Sequence, residues 1–598
     1  MQSDSRKADI LADTHERWQK ALSSRQVLLA LAGLFVLNLL LRVFYLRYDF
    51  VNGDEGVRAL TATRLLEGAR LYADVVTDKP PGATLFYAAV FALAGRSMKA
   101  VHLAATFWNF ATAIVIYLTT ARACGKRIAL WAALLFVYFT TNYFTQDTMA
   151  ANTELLLALP YAAAFACFLG AAGIEGKRQA AQSNLLLIGA GVMTGFAAIF
   201  KQIGVLNLLF FGLWEILQCW KALASFQSSA VWLRFSIKRL AGRLALVAVG
   251  FLLVIAAFVA WLVSMHALAD FWRNGVEINM FYIDSEPANL WWRFAIGRGL
   301  GYVLFNFVLW SFAVWTVVRS IKAARQTARL NREDRLARSQ PIRDRESPPT
   351  NPFEFNLAVA LWGAVSLISV VISGRFFGHY FITALPALAM LAAPSIYLFG
   401  KRLRDSAYKR RAQVALAILA VFFTVGLIRS HHRTAVLAYE TITGRRTHWS
   451  ANWGMTKRQN EAEAITTALR DKLQPGEPLY IWGYAHDVFW QTGCRPAARY
   501  LTPYYIDGRF SDAEAVAAEP NAPFWLEARA NLIADLRRVR PRLILDIKGD
   551  MDDLPYREIT DFLKENYEDV GSVGPDPNRP FRMLRLREAE AATPPSRE

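Results

Sequence analysis

Val27 to Leu46 reads VLLALAGLFVLNLLLRVFYL, and just beyond it stands Asn52-Gly53-Asp54-Glu55-Gly56. A run of about 20 apolar residues is long enough, as a helix, to cross a hydrocarbon core of roughly 30 Å. It is too long for a signal-peptide core and lacks a small-residue cleavage site, so it is expected to stay as an uncleaved first span. Two adjacent carboxylates therefore sit at the mouth of a membrane helix. About two dozen residues later Asp78-Lys79-Pro80-Pro81-Gly82 adds a cation in a rigid setting. Carboxylates next to a cation at a membrane face suit a reaction between a deprotonated acceptor and a lipid phosphate.

Outward from that stretch the chain keeps the same character. Of its 598 residues 54% are hydrophobic, and eleven spans are expected near 27–46, 100–120, 128–145, 153–172, 184–200, 203–220, 244–265, 297–318, 356–373, 380–398 and 413–429. Ala83 to Gly95 is apolar but only about 13 residues long, short of the roughly 20 a span needs, and reads as a helix lying on the membrane surface. With that choice the basic loops at Arg122/Lys126/Arg127, Lys177/Arg178, Lys221 to Arg239, Arg319 to Arg345 and Lys401 to Arg411 all fall on one side, the cytoplasm. Arg429 to Arg446 is the exception. The formal charge of +18 is thus a topology signal, and no nucleic-acid partner is expected. The four cysteines are far apart and support neither a zinc site nor a disulfide framework.

This reading gives a polytopic α-helical membrane protein in three parts: a cytoplasmic tail (1–26), a transmembrane domain (27–430) and an extracytoplasmic α/β domain (431–598). The topology brings polar residues to the external span ends. Asp54 and Glu55 could equally cap the helix that follows them. Lys79 is aimed by two prolines that hold the chain extended. Glu154, in Asn152-Thr153-Glu154, opens an apolar span, where a carboxylate is costly unless paired. Lys201-Gln202 and Arg375-Phe376-Phe377-Gly378-His379-Tyr380 interrupt apolar runs on the same side and could anchor the interface or hold a phosphate. Glu277, Asn279, Tyr282 and Asp284 lie in an external loop that reads as solvated.

Together, Asp54-Glu55-Gly56, Arg64-Leu65-Leu66-Glu67-Gly68, Leu71-Tyr72-Ala73-Asp74, Asp78-Lys79-Pro80-Pro81-Gly82, Asn152-Thr153-Glu154 and His379-Tyr380 ahead of Pro386 resemble the membrane glycosyltransferases of the GT-C class. The bacterial branch near protein mannosyltransferases, aminoarabinose transferases and rhizobial galacturonosyltransferases is the most similar. The resemblance implies an inverting transfer of a hexosyl or pentosyl group from a polyprenyl-phosphate donor at the outer face of a bacterial inner membrane. The acceptor would be an envelope glycolipid, polysaccharide or protein. It implies Asp54, with Glu55, as the catalytic carboxylates and Glu154 and Asp78 as further acidic positions. Lys79, Arg375, Lys201, His379 and Tyr380 would hold the donor phosphate. No histidine aligns with the metal ligand of some members, so no cofactor is obligatory and a divalent metal stays an open option. Val57 and Arg58 stand where many relatives have tyrosines. The alternative from another class is a transporter or flippase for a lipid-linked saccharide, which would show repeat symmetry and broken helices carrying charge in mid-span.

Beyond residue 431 the pattern predicts helices over 457–472, 524–539 and 556–566, and strands over 479–482, 543–547 and 581–586. His486-Asp487 reads as a surface turn, and the domain as an acceptor-binding or shielding element.

Overall fold

The computed structural model describes residues 22–172, 180–225, 230–284, 288–337, 352–403, 409–509, 522–573 and 581–587. Most of the N-terminal tail, the pair Lys177/Arg178 and the basic residues from Arg338 to Arg345 lie outside them.

Nine helices among the described residues are long and apolar enough to cross a membrane: Ser24–Arg47, Met98–Cys124, Thr153–Ala172, Ala180–Phe200, Gln202–Lys221, Ile237–Ser264, Phe307–Gln326, Pro352–Val371 and Arg410–Thr443. The two other expected spans are also helical but differ in kind. Lys126–Phe139 ends where Thr140 turns the chain, after 14 residues. Leu385–Arg402 carries Pro386, Pro394 and two terminal cations, and every residue from Leu385 to Ser395 is buried. Both pack against the other helices, though Trp131 on the first is 40% exposed. Leu252, Leu253, Val421 and Val425 on two peripheral helices are more exposed, as side chains facing lipid should be. At the centre Phe165 stacks on Trp362 at 4.1 Å, and the Trp362 indole donates to Asn207 at 2.8 Å. Gly82–Ala94 forms the expected short apolar helix.

The last helix continues unbroken from Lys409 to Thr443, past the sequence-derived boundary at 431. The α/β part then builds a five-stranded sheet from β1 (Pro478–Trp482), β2 (Arg495–Pro496), β3 (Leu543–Asp546), β4 (Tyr567–Val573) and β5 (Phe581–Leu586), in the order β2-β1-β3-β5-β4. β1 pairs in parallel with β2 and β3, while β5 runs antiparallel to β3 and β4. Three strands and all three helices fall where the pattern predicts. β2 is two residues long and β4 mixes Glu, Asp, Gly and Ser, so neither carries an alternating apolar signal.

The sheet alternates strictly, and both faces are covered. Tyr480, Trp482, Ile544 and Leu584 share a core with Val76 and Ile278. Leu479, Ile481, Leu543 and Leu545 share another with Leu60, Leu71, Tyr72 and Val75. The C-terminal part therefore completes its core with the first loop of the membrane part. His486 is no surface turn: it is 2% exposed, and its Nε2 lies 3.0 Å from the Leu501 carbonyl oxygen. It presses on Gly56, where a Cβ would come within 2.5 Å of the His486 Cβ. Asp487 beside it pairs with Arg458 at 3.2 Å.

Candidate active site at the first loop

The helix Gly53–Leu66 starts because Asn52 is extended and its side chain accepts from the Glu55 amide. The Asn52 amide group also donates to Asn152 and to the Gln146 carbonyl, both at 3.0 Å. One side chain thus ties the helix start to the segment leading into Thr153–Ala172.

Asp54 and Glu55 then take opposite roles. Successive helix residues point about 100° apart, and the two carboxylates separate accordingly. Glu55 has no accessible surface; it accepts from the Ala151 amide at 2.7 Å, the Val51 amide at 2.7 Å and His102 Nε2 at 2.9 Å. Burial would raise its carboxyl, but His102 and the two amides hold it below the usual range. Asp54 keeps 59% of its side-chain surface open and pairs with Arg58 at 3.1 Å. The surrounding protein alone would raise its carboxyl, yet the charges of Arg58, His379 and Lys79 outweigh this and lower it. An ionised carboxylate in an opening, facing several cations, is the outcome.

Lys79 stands across from it. Its ammonium pairs with Asp78 and faces the Tyr282 ring at 5.6 Å, and about a quarter of the side chain is exposed. An ammonium has three donors, so others remain for an anion. The loop is fixed by the Tyr72 hydroxyl donating to the Lys79 carbonyl at 2.9 Å and by Asn279 donating to the Asp78 carbonyl at 2.6 Å. Tyr72 itself adopts a left-handed backbone, φ 73°, uncommon outside glycine. Gly82 closes the motif because a Cβ there would meet the Ile199 carbonyl oxygen at 2.7 Å. That approach sets the loop against the turn carrying Lys201.

Lys201 pairs with Glu154, which is 1% exposed, and its ammonium lies 4.1 Å from the centre of the Tyr380 ring. Thr153 donates to the other Glu154 oxygen at 3.0 Å. His379 reaches both sides: Nδ1 is 2.6 Å from Asp147, and Nε2 is 4.0 Å from Glu154. Burial would lower the imidazole, but Glu154 and Asp147 outweigh it and raise it. The Tyr380 and Tyr282 hydroxyls are 3.4 Å apart. Arg375 is wholly buried, its guanidinium stacked 3.9 Å from the Tyr282 ring centre.

The structure thus joins Asp54, Lys79, Asp78, Glu154, Lys201, His379 and Tyr380 into one cluster of contacts and charges, with Asp54 its most exposed carboxylate. It places Glu55 behind the helix start and Arg375 behind Tyr282. The sequence reading passed over Arg58 and Asp147 as site members and took Tyr282 for a solvated-loop residue. The i,i+4 spacing of Arg58 to Asp54 was a usable signal, whereas nothing local marks Asp147. Among the described residues no three His, Cys, Asp or Glu side chains converge to hold a metal ion, and Asp78 is turned to Lys79. The C-terminal part borders the opening as well. Val76 donates its amide to the Arg499 carbonyl at 2.9 Å, and the Tyr504 hydroxyl, raised first by burial, is raised further by Asp78.

No family model and no curated protein matches this chain in sequence. Its fold, however, is similar to that of ArnT from Cupriavidus metallidurans, solved bound to undecaprenyl phosphate. The TM-score is 0.58 at 14% identity, covering 94% of this chain and 98% of that one. The apo state of the same protein aligns with a TM-score of 0.54, at the same identity and coverage. The polytopic helical fold with a C-terminal α/β part expected from the sequence is the fold shared with that protein.

Proposed function

We propose that this chain is an inverting glycosyltransferase that moves a sugar from a polyprenyl-phosphate donor to a hydroxyl of an envelope acceptor, at the outer face of a bacterial inner membrane. The observation that carries the reading is the placement of Asp54: an exposed carboxylate within electrostatic reach of His379, Lys79 and Glu154, the last paired with Lys201, all from separate segments of the chain. The fold shared with ArnT supports it, because that protein binds an undecaprenyl phosphate.

The chemistry follows from these groups. The acceptor oxygen attacks the anomeric carbon from the side opposite the phosphate. Asp54 takes the hydroxyl proton as that bond forms. The bond from the anomeric carbon to the phosphate oxygen breaks, and its electron pair stays on the phosphate, which passes from diester to monoester and gains charge. Lys79 and Lys201 stabilise that charge as it develops. Arg375 acts one layer back by fixing Tyr282, and Glu55 by fixing the helix start. Asp78 holds the Lys79 ammonium beside the site. The C-terminal domain, on the outer side in this reading, closes the opening over the first loop.

The test is mass spectrometry of polyprenyl-phosphate sugars and envelope glycans in cells lacking the protein, complemented with wild type or with Asp54→Asn. Wild type should restore a glycan, while the variant leaves the lipid donor accumulated. Equal restoration by both would remove Asp54 as the base and favour a transporter.

A further inference from the structure

We propose that Asp147 and His379 form a protonation-dependent positioning pair that sets how strongly the site holds the donor phosphate. This rests on the glycosyltransferase reading and gives a role to Asp147, which that reading leaves unused.

The geometry fixes the imidazole. Asp147 is 7% exposed and its Oδ1 lies 2.6 Å from His379 Nδ1. An ionised carboxylate only accepts, so Nδ1 carries a proton and donates it. Phe377 stacks on the His379 ring with planes 10° apart, and Tyr380 meets it edge-on at 4.7 Å. The ring is thus held by a carboxylate and two aromatics, with Nε2 directed to Glu154 at 4.0 Å. The charged groups facing it are Asp147 on the short helix Thr145–Thr148, Glu154 on Thr153–Ala172, Lys201 at the turn and Asp54 on Gly53–Leu66.

The charge balance of this cluster decides the consequence. Asp147, Glu154 and Asp54 contribute three negative charges, and Lys201 and Arg58, the partner of Asp54, two positive. With His379 protonated the six groups are neutral; with it deprotonated they carry one net negative charge beside an anionic diester. The two carboxylates hold the proton to higher pH than an isolated imidazole would keep it, and it leaves as pH rises. Donor affinity then falls, because the cluster repels the phosphate across a poorly screened gap.

The experiment is direct binding, by intrinsic tryptophan fluorescence of the purified full-length protein, of a long-chain isoprenyl methyl phosphodiester. Its single charge does not change between about pH 5.5 and pH 9. Wild type should lose affinity by about tenfold or more across one break as pH rises. Asp147→Asn should move that break to lower pH, and His379→Gln should abolish it, each variant being checked for a monodisperse fold by gel filtration. A purely structural Asp147 would lower stability and leave the break where it is. A flat wild-type profile, or a break unmoved in Asp147→Asn, overturns the proposal while leaving the donor site standing. Absence of binding by wild type at every pH overturns the donor site itself, and the proposal with it.

Discussion

Both the opening at the first loop and the C-terminal sheet domain bury charge, but they do so in different ways. In the C-terminal domain several buried charges close on ion partners within the domain. Asp535, 2% exposed on its side chain, takes Arg499 through two nitrogens at 2.9 and 3.1 Å. Arg529 takes Glu558 at 2.9 Å, and Asp507 takes Lys548 at 2.5 Å. At the opening, Asp54, Lys79, Lys201, Glu154, His379 and Asp147 come from separate segments, and the strongest perturbations of Asp54 come from residues it does not all touch. Buried ion pairs are weak signs of function by themselves. Charges gathered from many segments around one accessible carboxylate, with the field of each felt by the rest, are a stronger sign.

The comparison can be broken most decisively at Asp54. Asp54→Asn is expected to reduce turnover about 10²- to 10⁴-fold while the protein still extracts and runs as wild type, as followed by transfer from a radiolabelled lipid donor. Lys201→Met should cost about 3–5 kcal/mol of stability, because it leaves Glu154 buried without its cation. A thermal melt would read this out. Adding Glu154→Gln should restore the melt but not transfer, a separation the C-terminal pairs should not show. Lys79→Ala should raise the donor KM roughly 10- to 100-fold, with a smaller change in kcat, through loss of a charge-assisted contact.

Arg499→Ala sharpens the other side. It should lower stability by about 1–3 kcal/mol and leave kcat/KM unaltered, since the Arg499 carbonyl that receives the Val76 amide is main chain. The smallest effect is one of position. The Asp54 carboxyl is lowered, so it stays ionised as pH falls into the ordinary carboxylate range. The acid limb of kcat/KM for the free enzyme should therefore lie lower than an ordinary carboxylate would place it, and a limb near pH 6 would assign the base elsewhere.

Hydropathy made the spans legible because length and apolarity are what a bilayer demands; only the helices Lys126–Phe139 and Leu385–Arg402 escape that measure. The short helix Gly82–Ala94 and strand β5 were legible for similar local reasons. Partnership was not. Asp54 and Glu55 look equivalent in a string of letters, yet the helical turn sends one into the opening and the other onto two amides and His102. Arg375 reads as a phosphate ligand, and only the fold shows it wholly buried against Tyr282, distant in sequence. Asp147 carries no periodic or motif signal at all; its partner is visible only once the chain has folded His379 against it.

Gly56 stands two residues after Asp54, with no room for a side chain because His486 occupies that space. The helix that carries the base is made early in synthesis and the residue that seats it is made late. A nascent chain can thus hold its membrane helices while the helix carrying Asp54 still lacks a backing, so, with Asp54 as the proposed base, competence should arrive only after His486 is made. Chains cut short before His486 should accumulate as inert membrane proteins, and exchange of the C-terminal part between homologues should succeed only where the residues at 56 and 486 are exchanged as a pair.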